Sequence, residues 1–459
     1  MRLAKFFKSS TLLVMSIGQA WRKTEIAILF ALTLGVSIFI WWSTSGVLLL
    51  NGGLPIMLRS ISNLLAVLAV FFILLQLMLI GRVKWIEQVF GLDKLARVHH
   101  AVGFSVIFFI VGHPLLLIAS SSLLTHRSWY VTFWNFVNYM EDVGSATVAV
   151  GLFLVLIILA ILIVLKKLKY EAWYLTHLAM YAAVLLAFGH QLNLGDDFGA
   201  MWTIVFWYFL YVFVFANVLY YRFFSPVWNT WQHKFIVDKV VHENDDTVSI
   251  YISGRDLDKY KIKAGQFFFF RFLDRSRWWQ AHPFSLSCLP NEKFLRITVK
   301  NLGDYTSELA KVKPGTRVYI DGPHGVFIAD KMNTDKCLLI AGGVGITPVR
   351  SLVEDLLQRG KDVILFYGNQ TKKSLIFGQE LADLVRNSRL EVKYVLSAEP
   401  EWQGEKGFID HEKIQRLVPD YMERDIYVCG PKMMTKMILP AIKSLHVHKS
   451  RIHFEKFSL

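Results

Sequence analysis

The sequence predicts a membrane α-helical bundle of six spans, followed by a cytoplasmic half made of a small β-barrel and an α/β nucleotide-binding domain. Three observations predict it. The 459 residues are 54% hydrophobic and only 19% charged, an apolar excess beyond what a soluble core accounts for. The excess is uneven: residues 1–228 hold 15 Lys/Arg and 8 Asp/Glu, whereas residues 229–459 hold 35 and 28. The second half also changes style, from short β-rich runs to alternating strands and helices. Three domains follow: 1–228 in the membrane, 229–331 as the barrel and 332–459 as the α/β domain. Disorder, a collagen-like chain, a disulfide scaffold and a purely soluble enzyme are excluded. Cys288, Cys337 and Cys429 lack the paired spacing of a zinc or iron–sulfur site.

Apolar runs of spanning length occur at Ile26–Trp42, Leu64–Ile80, His99–Ala119, Ala146–Leu165, Tyr174–His190 and Trp202–Tyr221. Loop charges orient them. Arg2, Lys5, Lys8, Arg22, Lys23, Arg82, Lys84, Lys94, Arg97, Lys166, Lys167 and Lys169 fall on one side; Arg59 and Arg127 fall on the other. The positive-inside rule therefore puts both termini in the cytoplasm of a multi-pass protein embedded in the lipid of the cell membrane. A cleaved signal peptide at residues 1–20 would invert this count, so that segment is expected to stay. The net charge of +14 is explained in part by topology, and the soluble half has no basic block. No nucleic-acid partner is expected.

His99 and His113 lie in the third span, His177 and His190 in the fifth. A lone histidine is ordinarily a packed or interfacial side chain. Two spans that each carry histidines near both ends point instead to axial ligation of two haems, because polar groups in hydrocarbon are costly and usually functional. His99 pairs with His177 on the inner side and His113 with His190 on the outer side. The irons are then about 20 Å apart along the helices. Helical phase selects His99 over its neighbour His100, since 14 residues return to within about 40° of one face and 13 miss by about 140°. His177 and His190 are themselves 13 apart, so the fifth span needs a bulge, a bend or adjusted rotamers.

In the soluble half, β-rich runs at Thr247–Ile252, Gly265–Phe272, Phe294–Val299 and Arg317–Ile320 read as an antiparallel barrel. Cys337–Ile340, Val363–Gly368, Glu391–Leu396 and Asp425–Cys429 read as parallel strands, and Val349–Gln358 as an amphipathic helix. The turn at Gly342, Gly343 and Gly345 lets backbone amides and a helix N-terminus approach a pyrophosphate.

At this point the chain resembles a known family. His282-Pro-Phe-Ser-Leu-Ser287 resembles the first FAD motif of ferredoxin-reductase-type modules, in the form found in NADPH oxidases and ferric reductases. Lys300-Asn-Leu-Gly-Asp-Tyr-Thr306 resembles the pyrophosphate-receiving segment, followed by Gly322-Pro-His-Gly325. Gly342-Gly-Val-Gly-Ile-Thr-Pro348 and Cys429-Gly-Pro431 resemble the nicotinamide motifs, and Glu455-Lys-Phe-Ser-Leu459 the tail that covers the flavin. The histidine spacings, with Gly103 after His99, resemble the membrane domain of the ferric reductase and NADPH oxidase superfamily.

The resemblance implies FAD, two haems b and NADPH or NADH as donor. His282, Pro283, Phe284, Ser285, Lys300, Gly303 and Thr306 would hold FAD. Gly342, Gly343, Gly345, Thr347, Pro348 and Gly430 would hold the dinucleotide, with Lys372 and Lys373 near a 2′-phosphate. Phe457, Cys429 and Glu455 would act where hydride passes. Core packing of Phe457 or Cys429 is the plain alternative. The implied activity is transfer of electrons from cytoplasmic NAD(P)H through FAD and two haems to an external small acceptor, oxygen or a ferric chelate. Leu117 stands where some oxidases of the superfamily carry a further histidine, which weakens the case for a dedicated oxygen pocket. A haem-bearing subunit that delivers electrons to a partner protein or quinone is the alternative. The sequence shows no calcium-binding loop, so no regulatory partner is indicated.

Overall fold

The computed structural model describes residues 2–50, 52–165, 170–194 and 200–455. Lys166, Lys167 and Lys169 of the orientation argument, and Phe457 of the implied site, lie outside the described residues. The chain forms two compact units. Of the described residues, one unit holds those of 21–86 and 94–222; the other gathers those of 223–459 together with Glu87–Asp93 and the N-terminal residues up to Ala20.

The helices of the first half are α1 (Arg2–Thr44), α2 (Leu54–Ile80), α3 (Lys84–Phe90), α4 (Leu92–Thr125), α5 (Trp129–Tyr139), α6 (Val143–Val164), α7 (Tyr170–His177), α8 (Met180–Leu194) and α9 (Met201–Val218). Six stretches are long and apolar enough to cross a membrane: Trp21–Thr44, Leu54–Ile80, Leu92–Thr125, Val143–Ile163, Ala172–Gln191 and Met201–His233. All six expected spans are present, and the second and third run longer at their N-terminal ends than hydropathy alone suggested. Phe104, Phe108 and Ile158 are exposed, as side chains facing lipid must be. Trp41, Val67 and Trp207 pack together from α1, α2 and α9. Polar side chains bond across helices, which hydrocarbon favours: Trp41 Nε1 donates to the Ser60 carbonyl at 2.8 Å, and Tyr211 Oη donates to Gln191 Oε1 at 2.6 Å.

The fifth span is interrupted between His177 and Met180. Ala179 N bonds to Thr176 O and Tyr181 N to Leu178 O, both three residues back rather than four. This tighter winding advances the helix by about 120° per residue instead of 100°. The correction has the sign that a 13-residue spacing requires.

After helix α10 (Ser225–His233) comes the barrel: β1 (Ile236–Asn244), β2 (Thr247–Ser253), β3 (Phe267–Phe272), β4 (His282–Ser285), β5 (Leu295–Lys300) and, past the short α11 (Asp304–Glu308), β6 (Val318–His324). The strands form two antiparallel sheets, β1-β2-β5 and β4-β3-β6. Single bridges at Ile236↔Arg317 and Leu286↔Ile297 join their edges and close the barrel. Phe268, Phe270 and Phe272 alternate inward on β3, against Ile250 and Ile252 of β2.

The last domain runs β7 (Lys336–Gly342), α12 (Ile346–Gln358), β8 (Asp362–Asn369), α13 (Gly378–Asn387), β9 (Glu391–Leu396), β10 (Glu405–Lys406), α14 (His411–Leu417), β11 (Asp425–Cys429), α15 (Lys432–Ser444) and β12 (Ile452–Glu455). Its sheet is parallel with order β10-β9-β8-β7-β11-β12. The chain winds outward from β7 in one direction, then returns to lay β11 on its other flank. The switch point lies between β7 and β11, where open parallel sheets bind their ligands.

Candidate functional site

The C-terminal ends of β7 and β11 bring Gly342–Gly345 against Cys429 and Gly430. A Cβ on Gly345 would lie 2.3 Å from the Cys429 carbonyl oxygen, and one on Gly342 would lie 2.3 Å from Met434 Sδ. Gly345 is therefore required by the close approach of the β11 backbone, whereas at Gly342 the neighbour is the flexible end of Met434. Gly343 differs: its φ is +51° and nothing lies within 4 Å of a Cβ there. It is the open position of the turn. Thr347 is buried and donates to the Val344 carbonyl at 3.0 Å, and Pro348 is buried beside it in α12. Lys372 and Lys373 are exposed in the turn after β8.

On the barrel, β4 pairs with β3, setting Ser285 opposite Phe267 and His282 opposite Phe270. The His282 ring stacks on Tyr305 with centroids 3.7 Å apart. Pro283 is exposed, while Phe284 packs against the barrel core. Ser285 Oγ, Tyr305 Oη, Arg271 Nε and Gln280 Oε1 are buried and lack a hydrogen-bond partner among the described residues. Burial pushes the Tyr305 phenol well above its ordinary pKa. Thr306 Oγ1 accepts from the amides of Leu302 and Gly303 at 2.9 and 3.0 Å, so this hydroxyl shapes the Gly303 loop. Lys300 Nζ pairs with Asp246 at 3.1 Å. Tyr305 lay inside the stretch read from sequence, whereas Arg271 and Gln280 carried no local signal.

Cys429 is fully buried, and burial holds its thiol well above the ordinary range. Glu455 stands beside it in the β11–β12 register. Burial, helped by the Asp93 and Glu87 carboxylates, pushes the Glu455 carboxyl up to about 8. The folded protein thus holds a proton that the unfolded chain releases in the ordinary carboxylate range. Stability should fall as pH rises from that range to about 8. Glu455→Gln is expected to flatten the slope by about one proton, checked by denaturant titration at pH 5, 6.5 and 8. An unchanged slope would show that Glu455 titrates normally.

In the membrane half, the His99 and His177 ring centroids are 6.4 Å apart, and those of His113 and His190 are 6.5 Å apart. His100 is exposed. His113 Nδ1 donates to the Ser62 carbonyl at 3.1 Å, while Ser62 Oγ donates to the His113 carbonyl at 2.8 Å. That arrangement leaves His113 Nε2 as the lone-pair nitrogen. Gln76 Nε2 donates to the His99 carbonyl at 2.9 Å. Among the described residues no three or more His, Cys, Asp or Glu side chains gather as a metal site.

Comparison with known families finds three matches in order along the chain. Residues 65–188 match the ferric reductase like transmembrane component, 232–327 an FAD-binding domain and 339–439 the oxidoreductase NAD-binding domain. Together, in this order, the three matches fit the ferric reductase/NADPH oxidase superfamily. The chain is an oxidoreductase and a multi-pass membrane protein with FAD- and NAD(P)-binding domains. It is 28% identical over 254 residues to a glycine betaine monooxygenase reductase subunit of Chromohalobacter salexigens, covering 51% of its own chain and 68% of that protein. It is 28% identical over 248 residues to an NADPH oxidoreductase of Mycobacterium tuberculosis, covering 51% and 62%. The chain therefore spans about two thirds of the length of these relatives. A solved FAD/NAD-binding domain of nitric oxide dioxygenase from Vibrio cholerae matches with TM-score 0.43 and 23% identity, covering 49% of this chain and 98% of that one. The residues present fit a flavin dinucleotide: Arg271 Nε on β3, Gln280 Oε1 before β4, Ser285 Oγ on β4 and Tyr305 Oη on α11 are buried polar atoms without protein partners among the described residues.

Proposed function

We propose that the protein transfers electrons across the membrane, from cytoplasmic NAD(P)H through FAD and two haems b to an external oxygen or ferric chelate. The observation that carries the reading is the pair of histidine pairs. The paired rings, with centroids 6.4 and 6.5 Å apart, stand off from one another with room for one metal ion held by an imidazole from each helix. Two protein ligands per site, with no third carboxylate, thiol or imidazole gathered among the described residues, suit a porphyrin that brings four nitrogens of its own.

Bound flavin and haem supply the conversion of a two-electron donor into one-electron steps. This chain's residues supply placement. Ser62 fixes the His113 tautomer; Gly343 leaves the turn open to a dinucleotide phosphate; Cys429 and Glu455 line the switch point where the nicotinamide would approach. Lys372 and Lys373 would meet a ribose 2′-phosphate. The Lys372→Ala/Lys373→Ala double variant is expected to raise the KM for NADPH about tenfold, about 1.4 kcal/mol, and to leave that for NADH unchanged. Equal KM values for NADPH in parent and variant would assign the loop to solvent.

The reading is tested by an anaerobic spectrum of purified protein with NADPH, in which two low-spin haems should become reduced. Absence of haem would overturn it. Superoxide-dismutase-sensitive cytochrome c reduction, set against ferric-chelate reduction, identifies the acceptor. Reduction only of a partner protein or quinone would favour the subunit alternative.

A further inference from the structure

The loop between the second and third spans puts one carboxylate deep into the flavin-binding unit. Glu87, at the last turn of α3, is 1% exposed. Its Oε1 accepts from the Gly325 amide at 2.8 Å, and its Oε2 lies 3.0 Å from His324 Nδ1. The other ring nitrogen, His324 Nε2, lies 3.2 Å from Asp321 Oδ1. His324 and Asp321 are both buried. An imidazole that faces a carboxylate from each nitrogen must carry both protons to donate to both. Burial alone would disfavour that cation, but the Glu87 and Asp321 carboxylates outweigh it and raise the His324 pKa.

The turn held by this cluster belongs to the flavin module. Gly325 has φ +93°, and a Cβ there would sit 2.9 Å from Glu455 Oε1 and 3.1 Å from the Phe267 ring. Tyr260 Oη donates to the Gly322 carbonyl at 2.9 Å from the opposite side. The loop is tied again by Lys331 Nζ, which donates to the Gln88 carbonyl at 3.3 Å. Glu87 is only twelve residues of chain from His99.

We propose that Glu87 is a positioning residue for electron exit from the flavin module: with Asp321 it clamps His324 and fixes the Gly322–Gly325 turn to residues 87–93. Its action is on the turn and the loop, not on the reacting atoms. The inference rests on the flavin-to-haem reading above.

The test is anaerobic stopped-flow of the full chain loaded with FAD and haem, following flavin bleaching and haem reduction in one trace. In Glu87→Gln, flavin bleaching by NADPH should stay within about twofold of parent, while haem reduction slows about tenfold or more, because a misplacement of about 1 Å caused away from the chemistry can cost about 100-fold. His324→Gln should slow the same step. The double variant should be no slower than the worse single, because the two residues act as one unit. Glu87→Asp, which keeps the charge, should recover part of the rate. Haem reduction within twofold of parent in Glu87→Gln would overturn the proposal. So would equal slowing of both steps with loss of FAD, which would make Glu87 a cofactor-retention residue only.

Failure of the underlying reading shows separately, as parent protein without haem bands. Hydrogen exchange then tests the clamp on its own. Amides of 87–93 and 322–326 should lose protection together in Glu87→Gln, and unchanged protection would overturn it.

Discussion

His113→Ala is expected to lower haem from about two to about one per chain and to cut delivery to the external acceptor below about one hundredth of the parent rate. The hydrogen-bond partners of metal ligands alone are worth about 10–100-fold, and this substitution removes the ligand itself. Flavin bleaching by NADPH should persist, because the nicotinamide cleft lies wholly in the other unit. His99→Ala should differ in kind: the outer pair would keep its haem, yet that haem should no longer be reduced by NADPH. Pyridine haemochrome content and stopped-flow spectra of the two variants check both statements. Full haem content in His113→Ala would show that His113 and His190 hold no metal, and the relay would then need another path.

The largest effect on folding is expected at Asp425, at the opposite end of β11 from Cys429. Its Oδ2 accepts from the amides of Asn333 and Thr334 at 2.9 and 2.8 Å and from Thr334 Oγ1 at 2.8 Å. Its Oδ1 pairs with His453 Nε2 at 2.8 Å, and the His453 ring stacks on Tyr427. One carboxylate thus ties the start of β11 to the loop before β7 and to β12. Asp425→Ala leaves those donors buried without an acceptor. It should cost about 3–5 kcal/mol, or about 10 °C in Tm for a domain of this size. Thermal release of FAD fluorescence measures it, and a shift under 2 °C would refute the assignment. Haem spectra of any folded fraction should be unaffected.

The spans were legible because hydropathy accumulates over about 20 residues, and a local error does not erase it. Charged flanks shorten such runs, which is why Leu54–Asn63 and Leu92–Val98 escaped notice as parts of α2 and α4. The helix α5 was missed for the opposite reason: at 11 residues it is too short to register as a span. Glu391–Leu396 and Asp425–Cys429 matched the sequence reading residue for residue: the second is a mostly apolar run buried at every position, as central parallel strands are, while the first, despite Glu391 and Lys393, shows through Val392, Tyr394 and Val395. The strand β1 escaped because only Val237 along it is fully buried, so it has no apolar alternation to detect.

His177 and His190 were off phase and stood on their spacing alone, whereas His99 and His113 were legible from spacing and phase, because a regular helix converts sequence separation into geometry. The Glu87–His324 clamp was not. Its partners are 237 residues apart, and neither sits in a local pattern that distinguishes it from a surface carboxylate or a turn histidine. Arg271 and Gln280 were invisible for the same reason: an unfilled hydrogen bond exists only once the fold has assembled its surroundings.

The interruption at Leu178–Ala179 also bears on height. At about 1.5 Å per residue, the third span rises about 21 Å between its histidines, and a regular fifth span would rise about 19.5 Å. A turn wound three residues back rises about 2.0 Å per residue, so two or three such residues restore about the missing 1.5 Å. The same overwound turn therefore levels the two helices as well as rotating them. Thirteen residues with such a turn thus rise nearly as far as fourteen without one.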